Sequence, residues 1–259
     1  MKTNKDFFDH TIQSPVSTSK GEVKLPIFYY DVSAVLVFFW TDFQKAAAQL
    51  EHSGLRVCRF FNGRALTGLA FYEYRDSDIG PYNEVGLATA VYSERMEKPV
   101  WYLPDFLRAA KKRKLGFYIH HLPVSTETAC AAGKEIWGFP KFTTRLPFSL
   151  TERYFEAAVL DPERKKIASV KGPLNAGVPL PGFDLLLFSN HENRQLRTIV
   201  DVKATFKTAF AAKQKLEIGN SSHPMTRTLH DLGLSGARPF VIQTTDTFIS
   251  RLNGGVSVE

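Results

Sequence analysis

Gly133-Lys134-Glu135-Ile136-Trp137-Gly138-Phe139-Pro140-Lys141-Phe142-Thr143 places one lysine, Lys141, among aromatic side chains and directly behind a proline. Lysine is ordinarily a solvated surface residue. Ile136, Trp137, Phe139 and Phe142, however, are poor choices for a fully exposed loop. Pro140 fixes its own φ and pushes Phe139 toward extended backbone, so Lys141 leaves the chain in a constrained direction. An amine is a nucleophile only when neutral, and apolar surroundings penalise the ammonium form. The stretch is therefore a place where an amine could lose its proton.

The same residues resemble the Schiff-base segment of the acetoacetate decarboxylase family, with Gly133-Lys134-Glu135 and Phe139-Pro140-Lys141 standing in the family's places. A second segment, Tyr82-Asn83-Glu84-Val85-Gly86, resembles the family stretch that carries an active-site glutamate. The resemblance runs from about Val23 onward. It implies a mainly β (α+β) fold, an antiparallel sheet wrapped around a cone-like β-barrel with a few peripheral helices. Residues 1–22 then form an N-terminal arm and residues 23–259 a single domain. It also implies catalytic roles for Lys141 and Glu84, a pocket-lining aromatic at Phe139, and assembly as a homo-oligomer. Two positions depart from the decarboxylase pattern. Phe142 replaces a second lysine after the nucleophile, and Tyr29-Tyr30-Asp31-Val32 carries no arginine where the family places one.

Condensed with a ketone, a lysine gives a protonated imine that accepts the electron pair of a bond breaking at the neighbouring carbon. That chemistry calls for no metal and no bound coenzyme, so no cofactor is expected. It supports decarboxylation of a β-keto acid as readily as aldol cleavage, aldol addition or dehydration. The expectation is a carbon-carbon lyase acting on a small keto acid or ketone, with Glu84 moving protons. Aldolase or dehydratase chemistry on the same imine is the rival, and a barrel that binds small molecules without turnover is the alternative outside enzymes. His120-His121 precede the lysine segment on a predicted strand, where alternation sends one imidazole to each face. One of them is thus a candidate for substrate binding, against a purely structural hydrogen-bonding role. No third ligand at metal spacing accompanies them. Trp137 and Phe142 fit either pocket or core.

A chain of 259 residues that is 44% hydrophobic and 13% aromatic can bury a large core. The formal charge of +7 owes five positive charges to Arg108, Lys111, Lys112, Arg113 and Lys114. Leu103, Phe106, Leu107 and Ala110 fall at helical spacing before Gly116, so the run reads as one basic helix end over 103–114, or else as a surface for an anionic partner. With no RNA-binding or zinc-finger signature, no nucleic-acid partner is expected. Cys58 and Cys130 suit the interior and form no redox pair. The N-terminus lacks a signal-peptide core and Ala34–Trp40 is too short to span a bilayer, so a cytoplasmic chain without a membrane partner is expected.

Strand-like runs recur at short intervals: 23–30, 35–40, 55–61, 66–74, 84–92 and 116–121, consistent with an antiparallel meander. Thr41 and Gln44 suggest a capping box opening a short helix that ends near Gly54. Asp161-Pro162-Glu163-Arg164 reads as the turn of a hairpin between 154–160 and 166–171. Strands at 182–188, 196–202 and 240–249 and a helix at 225–232 complete the pattern, with 204–212 ambiguous between helix and strand.

Overall fold

The computed structural model describes residues 5–51, 53–210 and 213–258. The chain opens with helix α1 (Lys5–Phe8) and a hairpin of β1 (Ser14–Thr18) and β2 (Gly21–Leu25). There follow β3 (Ile27–Thr41), α2 (Phe43–Ala48), β4 (Leu55–Val57), β5 (Ala65–Ser77), β6 (Tyr82–Ser93), α3 (Tyr102–Phe106), β7 (Leu115–His121) and α4 (Glu127–Trp137). The second half contributes β8 (Phe148–Leu150), β9 (Tyr154–Leu160), β10 (Lys166–Pro173), β11 (Val178–Pro181), β12 (Leu185–His191), β13 (Arg194–Lys203), β14 (Thr205–Phe210) and β15 (Lys215–Ile218). It ends with α5 (Pro224–Asp231), β16 (Val241–Leu252) and β17 (Val256–Ser257).

Seven strands close a barrel in the order β3-β5-β6-β7-β12-β13-β16, with β16 pairing back onto β3. Neighbours are antiparallel except β7 and β12, which run parallel through Phe117 opposite Leu187, so the expected meander is interrupted at that seam. A second sheet, β15-β10-β9-β8, covers the outside of the barrel. This arrangement explains why 34–40 is apolar without alternation. Leu36 and Phe38 face the barrel interior, while Val35, Val37 and Phe39 face the layer between barrel and second sheet.

Several local expectations are corrected. The β1–β2 hairpin spans the expected boundary between arm and domain and is tied down by Glu135 of α4, which accepts hydrogen bonds from the Ser19 backbone N–H (2.8 Å) and hydroxyl; residues 1–4 lie outside the described residues. The cap of α2 is Asp42, which accepts from Lys45 N–H at 2.9 Å, while Thr41 turns inward to Thr67. The single basic helix over 103–114 is instead α3 and a separate 3₁₀ turn, Ala110–Lys112. The break has a clear cause: buried Asp105 accepts from the backbone N–H groups of Lys114 (2.9 Å) and Leu115 (2.7 Å), folding the segment back onto the start of β7. The ambiguous 204–212 run is strand from Thr205 to Phe210, and its last two residues lie outside those described. No helix among the described residues is long and apolar enough to cross a membrane.

Candidate active site

Alternation along the barrel strands decides what reaches the interior. On β5 the inward positions are Gly68, Ala70, Tyr72 and Tyr74; on β6 they include Glu84, Gly86 and Ala88. Four of these seven are glycine or alanine, and the space their missing side chains leave is the cavity, about 110 Å³ in volume. Phe38, Phe117, Phe183, Leu187 and Phe248 supply much of the remaining wall. The antiparallel register of β5 and β6 sets Tyr72 opposite Glu84 and Tyr74 opposite Tyr82, gathering tyrosines around one carboxylate.

Lys141 reaches the same place from the far side of a short connection. Residues 122–125 bond to β6 on one edge, through Val85 N–H to Pro123 O (3.0 Å) and Ser125 N–H to Asn83 O (3.0 Å). On the other edge Leu122 N–H bonds Pro140 O (3.1 Å) and Val124 N–H bonds Phe142 O (3.0 Å). That ladder brings together two residues 57 positions apart. Pro140 sits at the centre of a tight turn closed by Lys141 N–H to Phe139 O at 2.7 Å, which aims the lysine inward. The turn follows α4 directly, because Gly138 ends that helix at φ 66°, where a Cβ would also meet Asn190 O at 2.5 Å.

Lys141 Nζ donates to Glu84 Oε2 at 2.7 Å, and the two residues are 7% and 8% exposed. A buried pair of this kind is held by mutual charge and neighbouring hydrogen bonds. Tyr74 donates a longer bond to Glu84 Oε1 (3.4 Å), the Tyr82 ring lies 5.9 Å beneath the ammonium, and the Tyr29 and Tyr82 hydroxyls meet at 3.1 Å. Burial first, with the Glu84 charge adding to it, pushes the Tyr72 and Tyr74 hydroxyls well above the usual phenol range. Both are neutral donors at ordinary pH. The tyrosines were not singled out in the sequence; the signal was the Tyr72-Glu73-Tyr74 alternation, whose meaning depends on its register with β6.

Of the sequence candidates, Lys141, Glu84 and Phe139 all line the cavity. His120 and His121 do not, and their expected place in substrate binding is corrected. Leu87 and Ala88, adjacent on β6, pair with His121 and Ile119, so a bulge inserts His120 and cancels the simple alternation. His120 Nε2 meets Thr89 Oγ1 and His121 Nε2 meets Thr228 Oγ1, each at 2.9 Å and outside the cavity. Burial lowers the two imidazoles to about 3 and about 4 respectively. Trp137 is core, donating to Asn253 O at 3.0 Å. Phe142 turns away from the cavity and lies against the His223 ring, 4.2 Å between centroids.

Similar proteins share this architecture. The chain aligns with acetoacetate decarboxylase from Legionella pneumophila at 15% identity over 100% of this chain and 96% of that one, with a TM-score of 0.63. The enduracididine biosynthesis enzyme MppR, complexed with the condensation product of pyruvate and imidazole 4-carboxaldehyde, aligns at 13% identity over 96% and 98% of the two chains, TM-score 0.62. An acetoacetate decarboxylase-like enzyme from Sphingomonas wittichii RW1 aligns at 13% identity over 92% and 94%, TM-score 0.59. No curated protein sequence matches. The acetoacetate decarboxylase (ADC) family pattern matches residues 13–210, which include Glu84 and Lys141, and the chain belongs to that family.

Proposed function

We propose that the protein is a Schiff-base-forming enzyme in which Lys141 condenses with a carbonyl substrate and Glu84 moves the protons. The observation that carries this reading is the 2.7 Å contact between the two side chains, both buried against an apolar cavity. Before attack the lysine must lose a proton, and Glu84 is the group placed to receive it. The free amine adds to the carbonyl carbon, and the resulting carbinolamine expels water once Glu84 returns a proton to its oxygen. The protonated imine then takes up the electron pair of a bond at the α-carbon, leaving an enamine. Reprotonation or addition to an aldehyde, then hydrolysis, restores the amine.

Between decarboxylation and aldol-type chemistry, the residues present favour the second. No arginine lines the cavity among the described residues to hold a substrate carboxylate, and the side chain after Lys141 is a phenylalanine directed elsewhere. MppR, of the same fold, holds a condensation product of a keto acid and an aldehyde.

The test is reductive trapping with borohydride across a panel of ketones and keto acids, followed by peptide mass spectrometry. The adduct is expected on Lys141 alone and is expected to vanish in Lys141→Ala. In Glu84→Gln, trapping is expected to slow by roughly 10²- to 10⁴-fold, the scale of a positioned acid-base group. Labelling of other lysines, or persistence in Lys141→Ala, refutes the imine mechanism.

A further inference from the structure

Resting on the imine reading, we infer that the substrate is a neutral, apolar ketone or aldehyde with no carboxylate on the part that enters the cavity. The charges in the cavity wall are already balanced: Lys141 faces Glu84 at 2.7 Å, and no other ionised side chain lines the space among the described residues. A keto acid would bring a third charge, a second negative one beside Glu84. Desolvated without a partner, such a carboxylate is strongly disfavoured.

The arginines elsewhere do not supply that partner. Arg75 is bound to Asp31 and Ser33 at the surface, Arg56 to Glu94, and Arg145 is exposed. The buried Arg113 donates to the backbone carbonyls of Asp184 (2.6 Å) and Arg108 (2.9 Å) beside the Phe106 ring, and Arg197 likewise serves carbonyls at Ala110 and Arg113. Beyond the ion pair the wall is mostly hydrocarbon and aromatic surface, chiefly Phe38, Phe117, Phe183, Leu187 and Phe248, and its further polar groups are uncharged hydroxyls, those of Tyr72 and Ser250 among them.

The chemistry follows from the substrate. Without a carboxylate there is no carbon dioxide to release, so the electron pair passed to the iminium comes from an α C–H bond, its proton going to Glu84. In a β-hydroxy ketone it comes instead from the Cα–Cβ bond, which breaks as Glu84 takes the hydroxyl proton and an aldehyde departs. Hydrolysis of the enamine after protonation at carbon returns the amine and a ketone, and no redox partner is involved.

A pair of isosteres isolates the charge. 5-Methylhexan-2-one and 4-oxopentanoate differ in having an isopropyl group or a carboxylate at the same place, and neither loses carbon dioxide by this route. Trapped with borohydride on the intact protein at equal concentrations, the neutral ketone is expected to label Lys141 at least tenfold faster, after correction for the intrinsic reactivity of each with a free amine. Equal or faster labelling by 4-oxopentanoate overturns the substrate class while leaving the imine reading intact. Labelling of Lys141 by neither overturns both.

Discussion

Glycine inside a helix costs up to about 1 kcal/mol relative to alanine, yet Gly133 occupies the middle of α4 and is buried. The cause is Lys141, since a Cβ on Gly133 would lie 2.3 Å from both Cδ and Cε of the lysine stem. The glycine is thus part of the device that sets the amine against Glu84. Gly133→Ala is expected to leave the circular dichroism spectrum unchanged while cutting Lys141 trapping by tenfold or more, because the stem must move and the lysine's direction changes with it. Unchanged trapping would show that the stem relaxes without cost to the site. At this scale legibility differs by residue. Lys141 draws attention because its aromatic neighbours are anomalous for an exposed loop, whereas Glu84, flanked by Asn83 and Gly86, and Phe139 are singled out only by the family resemblance. Gly133 is visible only as a motif letter until the helix and the lysine are seen side by side, and Tyr72 and Tyr74 acquire meaning only from cross-strand register.

Strands and helices were legible where apolar pattern and turn chemistry agree, as in the β9–β10 hairpin around Asp161–Arg164. They were not where a side chain seizes distant backbone, as Asp105 does at Lys114 and Leu115, or where a bulge resets alternation, as at His120. That bulge has an energetic consequence. Both histidines have folded-state values below the ordinary 6.5, about 3 for His120 and about 4 for His121, because burial penalises the imidazolium. The folded state therefore binds fewer protons than the unfolded state below the ordinary value. Stability is complete above pH 6.5 and is lost as pH falls toward the folded values, by up to about 1.4 kcal/mol per pH unit for each histidine. Most carboxylates titrate below this window. Urea midpoints are expected to fall steadily from pH 6.5 to 4.5 in the wild type, and less steeply in His120→Gln. Parallel slopes for the two proteins would assign the acid sensitivity elsewhere.

At the scale of the whole molecule, the cavity depends on ring closure, with β16 joining both β3 and β13, and on the parallel seam between β7 and β12. Such pairings join strands far apart in the chain, and local patterning carries no information about them. The exterior poses a different question. Val100 (88% exposed), Trp101 (73%), Leu103 (63%) and Leu107 (79%) crowd one short segment around α3. Scattered exposed apolar residues need no explanation, whereas a contiguous set marks an interface. The segment is anchored from behind, by Asp105 on the start of β7 and by Phe106 against Phe183 (4.7 Å between centroids). We propose that copies of this chain meet there to form a homo-oligomer, since an apolar face repeated on identical subunits is what closed symmetric assembly uses. Light scattering at micromolar concentration is then expected to give an integral multiple of 29.2 kDa. Replacing Trp101 and Leu107 together by Asp should shift the mass toward the monomer without altering the circular dichroism spectrum, because both side chains lie outside the core. An oligomer that survives the double replacement would place the interface on another face, and a wild-type mass of 29.2 kDa would rule out the assembly altogether.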